Sequence, residues 1–298
     1  MTGMRANWLV ALLSGLVLLS IVYGLMTRSV QPASNQRSSG DQPRRPLVVA
    51  HRGGAGLWPE NTMYAFTRAV ELGVDVLEVD LHSTADGVLV IIHDSTVDRT
   101  TNGRGRVNDM SLAQLKALDA GYRWSPEDGG IFPFRGRGLT VPTLEEAFAA
   151  FPKMRFNIDI KQDQPSLVRP FCRLIRESGM TQNLMVASFK PEVLDQFRKE
   201  CIGVATSASE TEVRAFLALK TTRPEATHSP VARALQVPEY AGGRRVLTRE
   251  FVETAHRHQL EVHAWTINDE AAMRRVFELG VDGIITDYPD RLMRLLGR

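Results

Sequence analysis

From residue 46 to the end of the chain, short runs rich in β-branched and apolar residues alternate with stretches whose apolar residues recur at helical spacing. Two strands that run parallel need a crossover of a dozen or more residues between them, which a helix supplies, so the alternation confines the chain to a parallel α/β architecture. Eight runs fit strands: Leu47–His51, Val74–Asp80, Phe156–Lys161, Leu184–Phe189, Ile202–Ala205, Ala234–Val237, Glu261–Thr266 and Gly283–Thr286. Eight strands with helical crossovers predict a (β/α)8 TIM barrel, a single domain of about 250 residues. Helical spacing covers 61–72, 112–118, 144–151, 166–178, 192–201, 249–258 and 271–279. Two of these stretches open on an S/T-x-x-E/Q box, Ser111 with Gln114 and Thr143 with Glu146, which satisfies N–H groups that the first helical turn leaves unpaired.

One segment breaks the alternation. Thr84-Ala85-Asp86-Gly87 is turn chemistry followed at once by a strand-like run, Val88–His93, with no room for a crossover, so it predicts a β-hairpin after the second strand. A turn centred between Ala85 and Asp86 would set His93 opposite Glu78. Residues 95–142 then form an excursion before the third barrel strand, long enough to predict a cap over the barrel mouth.

Hydrophobic residues make up 43% of the chain and charged residues 23%, enough apolar material for one large core. The 36 basic and 34 acidic residues leave a net charge of +2 with no basic stripe, which argues against nucleic acid as a partner. Cys172 and Cys201 fit no metal or redox spacing and are read as core residues. Trp8 to Met26 carries no charge and is about long enough to cross a bilayer, so it predicts a single-pass membrane anchor with Trp8 and Tyr23 at the interfaces. The organisation expected is an anchor with a short tail (1–27), a polar linker (28–45) and a catalytic barrel (46–298) with its cap at about 95–142. More basic residues follow the span than precede it, which points the barrel to the cytoplasm, but a short N-terminal tail can itself stay inside and the side is left open.

In a barrel of this kind, functional groups project from the C-terminal ends of the strands. The first strand runs into His51-Arg52-Gly53, the second ends in Glu78-Val79-Asp80, and the third reads Asn157-Ile158-Asp159-Ile160-Lys161. Alternate strand residues share a face, so Glu78 pairs with Asp80, and Asn157 and Asp159 with Lys161. Three carboxylates converging on one mouth call for a cation, and an all-oxygen set suits Mg²⁺ or Ca²⁺. His51 and His93, also at strand ends, suit proton transfer near neutral pH. Arg52 and Lys161 suit a phosphate, and Trp265 offers an apolar wall. His82, His256 and His258 are given no role.

Taken together, His51-Arg52-Gly53, Glu60-Asn61-Thr62, Glu78-Val79-Asp80, Thr84–Gly87 with His93-Asp94, Asn157–Lys161 and Trp265-Thr266-Ile267-Asn268 resemble, in order, the motifs of the glycerophosphodiester phosphodiesterase family, a phospholipase C-like phosphodiesterase barrel. The match runs over nearly all of 46–288, and the HRGGAG opening after an apolar span is similar to the membrane-tethered branch. The resemblance implies a divalent cation held by Glu78, Asp80 and Asp159, His51 and His93 as general base and acid, and Arg52 and Lys161 on the phosphate. Its one departure is Asp159, where the family's usual residue is Glu. The implied reaction is metal-dependent hydrolysis of glycerophosphodiesters to an alcohol and sn-glycerol 3-phosphate. A second reading is a lysophospholipase D that leaves lysophosphatidic acid, with Tyr122, Trp124, Phe132 and Phe134 of the cap either as an acyl groove or as plain cap core. A third, of another class, is a catalytically silent binding barrel, which loss of a histidine or a carboxylate would have favoured.

Overall fold

The computed structural model describes residues 45–126, 129–219 and 231–298. In chain order the elements are β1 (Leu47–Ala50), α1 (Met63–Leu72), β2 (Val76–Ser83), β3 (Leu89–Ile91), α2 (Leu112–Lys116), α3 (Leu144–Ala150), β4 (Arg155–Ile160), α4 (Val168–Glu177), β5 (Leu184–Ala187), α5 (Pro191–Glu200), β6 (Ala205–Thr206), α6 (Glu210–Leu219), β7 (Ala234–Val237), β8 (Tyr240–Ala241), β9 (Arg244–Arg245), α7 (Arg249–Arg257), β10 (Glu261–Ala264), α8 (Glu270–Glu278), β11 (Gly283–Thr286) and α9 (Pro289–Leu295).

The parallel strands lie side by side in the order β6-β5-β4-β2-β1-β11-β10-β7. The ends of that row meet through a parallel bridge between Ser207 and Ala234, where Ala208 N–H donates to the Ala234 carbonyl at 2.8 Å and Arg233 N–H to the Thr206 carbonyl at 2.8 Å. The sheet is thus a nearly closed eight-stranded parallel barrel, as the alternation predicts. All eight residues of β2 are buried, as a strand covered on both faces by barrel interior and helix shell must be. Phe66, Phe156, Phe171, Phe197 and Phe251 fill the space beneath the helices, with Phe148 edge-on to Phe156 at 5.4 Å and Phe171 tilted on Phe197 at 5.6 Å. Both expected capping boxes are present, on α2 and α3.

The hairpin forms, but its register differs by one residue. Leu81 faces Ile91 and Ser83 faces Leu89, so the ladder is centred on Asp86 and its continuation sets His93 against Val79 rather than Glu78. The cause is a three-residue loop: Gly87, at φ 78°, takes the left-handed position such a loop needs, and Thr84 N–H reaches the Val88 carbonyl at 3.0 Å. Within the excursion, Val97, Val107, Leu115, Ala120 and Val141 build a small core of their own against Val90 and Ile92. The four cap aromatics, read either as an acyl groove or as plain cap core, pack on their neighbours. Trp124 donates to the Ala55 carbonyl at 2.9 Å, Phe134 sits 5.1 Å from both Tyr64 and Trp124, and Arg135 lies over Tyr122 and Phe132.

Two further expectations need correction. Cys172 on α4 and Cys201 just after α5 are buried, but they are joined in a disulfide across a Cα separation of 5.4 Å. Spacing in the sequence does not reveal that two neighbouring helices of the shell bring them together. The single-pass membrane location is also not upheld: among the described residues no helix is long and apolar enough to cross a membrane. The segment from Trp8 to Met26 lies outside the described residues.

Candidate active site

At the C-terminal end of β1 the chain turns sharply through His51–Gly53. Arg52 takes φ 52°, a left-handed conformation that costs a non-glycine residue of order 1 kcal/mol or more. The turn allows Arg52 N–H to donate to Glu78 Oε2 at 2.8 Å. Gly53 cannot be replaced cheaply, since at φ 83° a Cβ would sit 2.8 Å from Phe66 Cδ1.

β2 and β4 pair in parallel with Glu78 opposite Asn157 and Asp80 opposite Asp159, which sets the three acids on adjoining strands. Asp80 is wholly buried. Its Oδ2 accepts from Asn61 Nδ2 at 2.8 Å and lies 3.3 Å from Arg52 Nε, while Lys161 Nζ stands 3.0 Å from Oδ1 and 2.6 Å from Asp159 Oδ2. Burial works against ionising Asp80, but Lys161 and Arg52 outweigh it and hold the carboxyl below its ordinary range. For Glu78 the balance is opposite: burial, then the charge of Asp80, pushes its carboxyl up to about 7. Asp159 is raised mainly by burial.

The two histidines are held alike. His51 Nδ1 donates to Asp287 Oδ1 at 2.6 Å and His93 Nδ1 to Asp94 Oδ1 at 2.6 Å, which turns each Nε2 away from its carboxylate. His51 Nε2 lies 3.9 Å from Glu78 Oε2. Burial alone would lower the His51 pKa, but Glu78 and the bond to Asp287 raise it above its ordinary value.

His51, Arg52, Glu78, His93, Asp159, Lys161 and Trp265 line one cavity of about 940 Å³, so every expected site residue reaches it except Asp80, which lies beneath, behind Arg52 and Lys161. Trp265 faces Phe189 edge-on at 5.6 Å, and the cavity extends along Val213, Leu217, Pro238 and Val246. Among the described residues no three His, Cys, Asp or Glu are arranged to hold a metal, because Lys161 lies between Asp80 and Asp159. The donor chemistry nevertheless fits a hard cation: Asp80 Oδ1 and Asp159 Oδ1 are buried oxygens that accept no hydrogen bond, the Lys161 ammonium standing near the first out of alignment.

Sequence reasoning overlooked Asp287, although it follows β11 directly and the strand-end rule that found His51 applies to it equally. Asp287 also accepts from Asn268 Nδ2 at 2.6 Å. Gln236, which donates to Asn157 Oδ1 at 3.0 Å on the cavity floor, and Arg99 were overlooked as well. Nothing in their local sequence sets them apart.

Two imidazoles lie beside a guanidinium and an ammonium at the C-terminal mouth of a parallel barrel, groups suited to proton transfer and to binding a phosphate. Residues 51–291 match the model of the Glycerophosphoryl diester phosphodiesterase family, and the chain belongs to that family. It is 34% identical to a glycerophosphodiester phosphodiesterase of Caldanaerobacter subterraneus subsp. tengcongensis, with 85% of this chain and 98% of the relative covered. It is 28% identical to a lysophospholipase D of Mus musculus, over 83% and 85% of the two chains. A phosphodiesterase of Oleispira antarctica, solved with the product sn-glycerol-3-phosphate, superposes with a TM-score of 0.67 at 26% identity, covering 85% of this chain and 97% of that one. The protein is a phosphoric diester hydrolase of the glycerophosphodiester phosphodiesterase type.

Proposed function

We propose that residues 46–298, with 95–142 as a cap, hydrolyse glycerophosphodiesters to an alcohol and sn-glycerol 3-phosphate by acid–base catalysis through His51 and His93, assisted by a divalent cation. The observation that supports this most is the matched pair of imidazoles, each fixed through Nδ1 by a carboxylate at 2.6 Å and each lining the same cavity. Glu78, Asp80 and Asp159 would hold the cation, Mg²⁺ or Ca²⁺. When bound it supplies Lewis-acid polarisation of the phosphate and lowers the pKa of a coordinated hydroxyl.

Arg52 and Lys161 bind the non-bridging phosphate oxygens. His93 Nε2 takes the proton from the glycerol hydroxyl next to the phosphate. That oxygen bonds to phosphorus, the bond to the alcohol breaks, and His51, its pKa raised by its carboxylate neighbours, returns a proton to the leaving oxygen. Water then opens the cyclic phosphate with the two roles exchanged. Direct attack by water uses the same two proton transfers. Replacing His51 or His93 by Ala is expected to lower kcat on glycerophosphocholine by about 10²–10⁴-fold with KM changed little. Turnover near that of the parent in either variant would overturn the assignment.

A second substrate reading rests on the wall of the cavity. Phe189, Val213, Leu217, Pro238, Val246 and Trp265 extend it well past the space a glycerol headgroup fills, which suits the acyl chain of a lysophospholipid. Lysophosphatidylcholine offered beside glycerophosphocholine separates the two readings: a higher kcat/KM on the lipid supports the lysophospholipase D.

A further inference from the structure

Arg99 takes no part in the chemistry proposed above, yet its guanidinium joins the partners of two residues that do. Nε donates to Asp94 Oδ2 at 2.7 Å and Nη2 to Asp94 Oδ1 at 3.2 Å, while Nη1 donates to Glu60 Oε2 at 2.7 Å and Nη2 to Glu60 Oε1 at 2.8 Å. Asp94 is the carboxylate that fixes His93, and Glu60 Oε1 accepts from Arg52 Nη1 at 3.0 Å. One hydrogen-bonded chain of side chains therefore runs His93–Asp94–Arg99–Glu60–Arg52. All three guanidinium nitrogens are used, each on a carboxylate whose other partner lines the cavity.

The backbone that carries Arg99 is itself fixed. Thr101, fully buried, donates through its hydroxyl to the Val97 carbonyl at 2.8 Å; its own carbonyl accepts from Arg123 Nε at 3.0 Å, and Asp98 accepts from Gly105 N–H at 3.0 Å. The Arg99 side chain is 46% exposed, yet all of its donor nitrogens are directed at Asp94 and Glu60. A bidentate fork on two carboxylates is better suited to setting angles than to holding the fold. An imidazole misplaced by about 1 Å costs on the order of 100-fold in rate, so orientation is the larger effect here.

We propose that Arg99 is a positioning residue that ties the proton-transfer half of the site, through Asp94, to the phosphate-binding half, through Glu60. The proposal rests on the roles given above to His93 and Arg52. It predicts that the fork, and not the positive charge alone, is required, because one ammonium cannot make four aligned bonds to two carboxylates.

The test measures kcat and KM on glycerophosphocholine for the full chain carrying Arg99→Ala or Arg99→Lys, and for Glu60→Gln and Asp94→Asn, singly and together, with and without Arg99. Arg99→Ala is expected to lose about 10- to 100-fold in kcat/KM, through both a lower kcat and a higher KM, with its Tm within a few degrees of the parent. Arg99→Lys is expected to recover little of that loss. The Glu60→Gln and Asp94→Asn penalties should fall short of multiplying by about fivefold or more while Arg99 is present, and multiply to within about twofold once it is removed. Kinetics within about threefold of the parent in Arg99→Ala, full rescue by lysine, or coupling that persists without Arg99 would each overturn the tie. If Arg99→Ala does not fold, the lysine variant decides the question alone. A parent that cleaves the substrate and a His93→Ala variant that does not establish the reaction separately, so a neutral Arg99 result would reject this proposal and leave that one standing.

Discussion

Glu78 is buried next to Asp80, and burial followed by that neighbouring charge pushes its carboxyl up to about 7 from an ordinary 4.5. A folded-state value above the unfolded one means that the protonated carboxyl stabilises the fold below about 4.5. That contribution is lost as pH rises through about 7. A divalent cation held by Glu78, as proposed, would bind the ionised form, so its stabilising effect should grow over the same window. The expected result is a cation-induced rise in Tm that is larger near pH 8 than near pH 5.5, with Glu78→Gln reducing the difference. A shift of equal size at both pH values would show that Glu78 does not hold the ion. Most of the site was legible at this scale because strand-end acids and histidines are costly in a core and so stand out in sequence. Asp287, Gln236 and Arg99 were not, since each acts through a partner 79 to 236 residues away or, for Arg99, through two partners at once.

The hairpin shows where pattern reading stops among the elements. Alternation located β3, but the count of loop residues depends on a backbone conformation at Gly87 that the pattern does not encode, and the register moved by one. Helices α6 and α9 were also passed over. The second begins with Pro289 at its first turn and runs only to Leu295, too short to display a period. Local chemistry did better: Thr143 accepts from Glu146 N–H at 3.0 Å as the capping box requires, and Thr143→Ala is expected to destabilise the fold by about 1 kcal/mol in denaturant unfolding. The disulfide between α4 and the end of α5 closes a loop with a sequence separation of 29 residues, for which chain entropy gives roughly 3–4 kcal/mol. Cys172→Ala with Cys201→Ala is then expected to lower Tm by roughly 10 °C. A double variant that melts with the parent would show that the cross-link adds nothing to the fold.

For the molecule as a whole, the barrel follows from alternation alone, and its closure through Ser207 and Ala234 brings strand ends far apart in sequence around one cavity. The apolar extension of that cavity was not legible, because Val213 and Leu217 come from the overlooked α6 and Pro238 from the loop after β7. The aromatics of the excursion, read as acyl groove or cap core, pack through Trp124 and Phe134 on each other, on Tyr64 of α1 and on the loop before it. Arg52, Glu78, Asp159 and Lys161 line the same cavity, and the proposed site is expected to release sn-glycerol 3-phosphate only with a cation bound. The measurement to make is ³¹P NMR of glycerophosphocholine incubated with the full chain, first with EDTA and then with Mg²⁺ or Ca²⁺ restored. Conversion to sn-glycerol 3-phosphate only after the cation is restored is the expected result; conversion that proceeds unchanged in EDTA, or none under any condition, would contradict it.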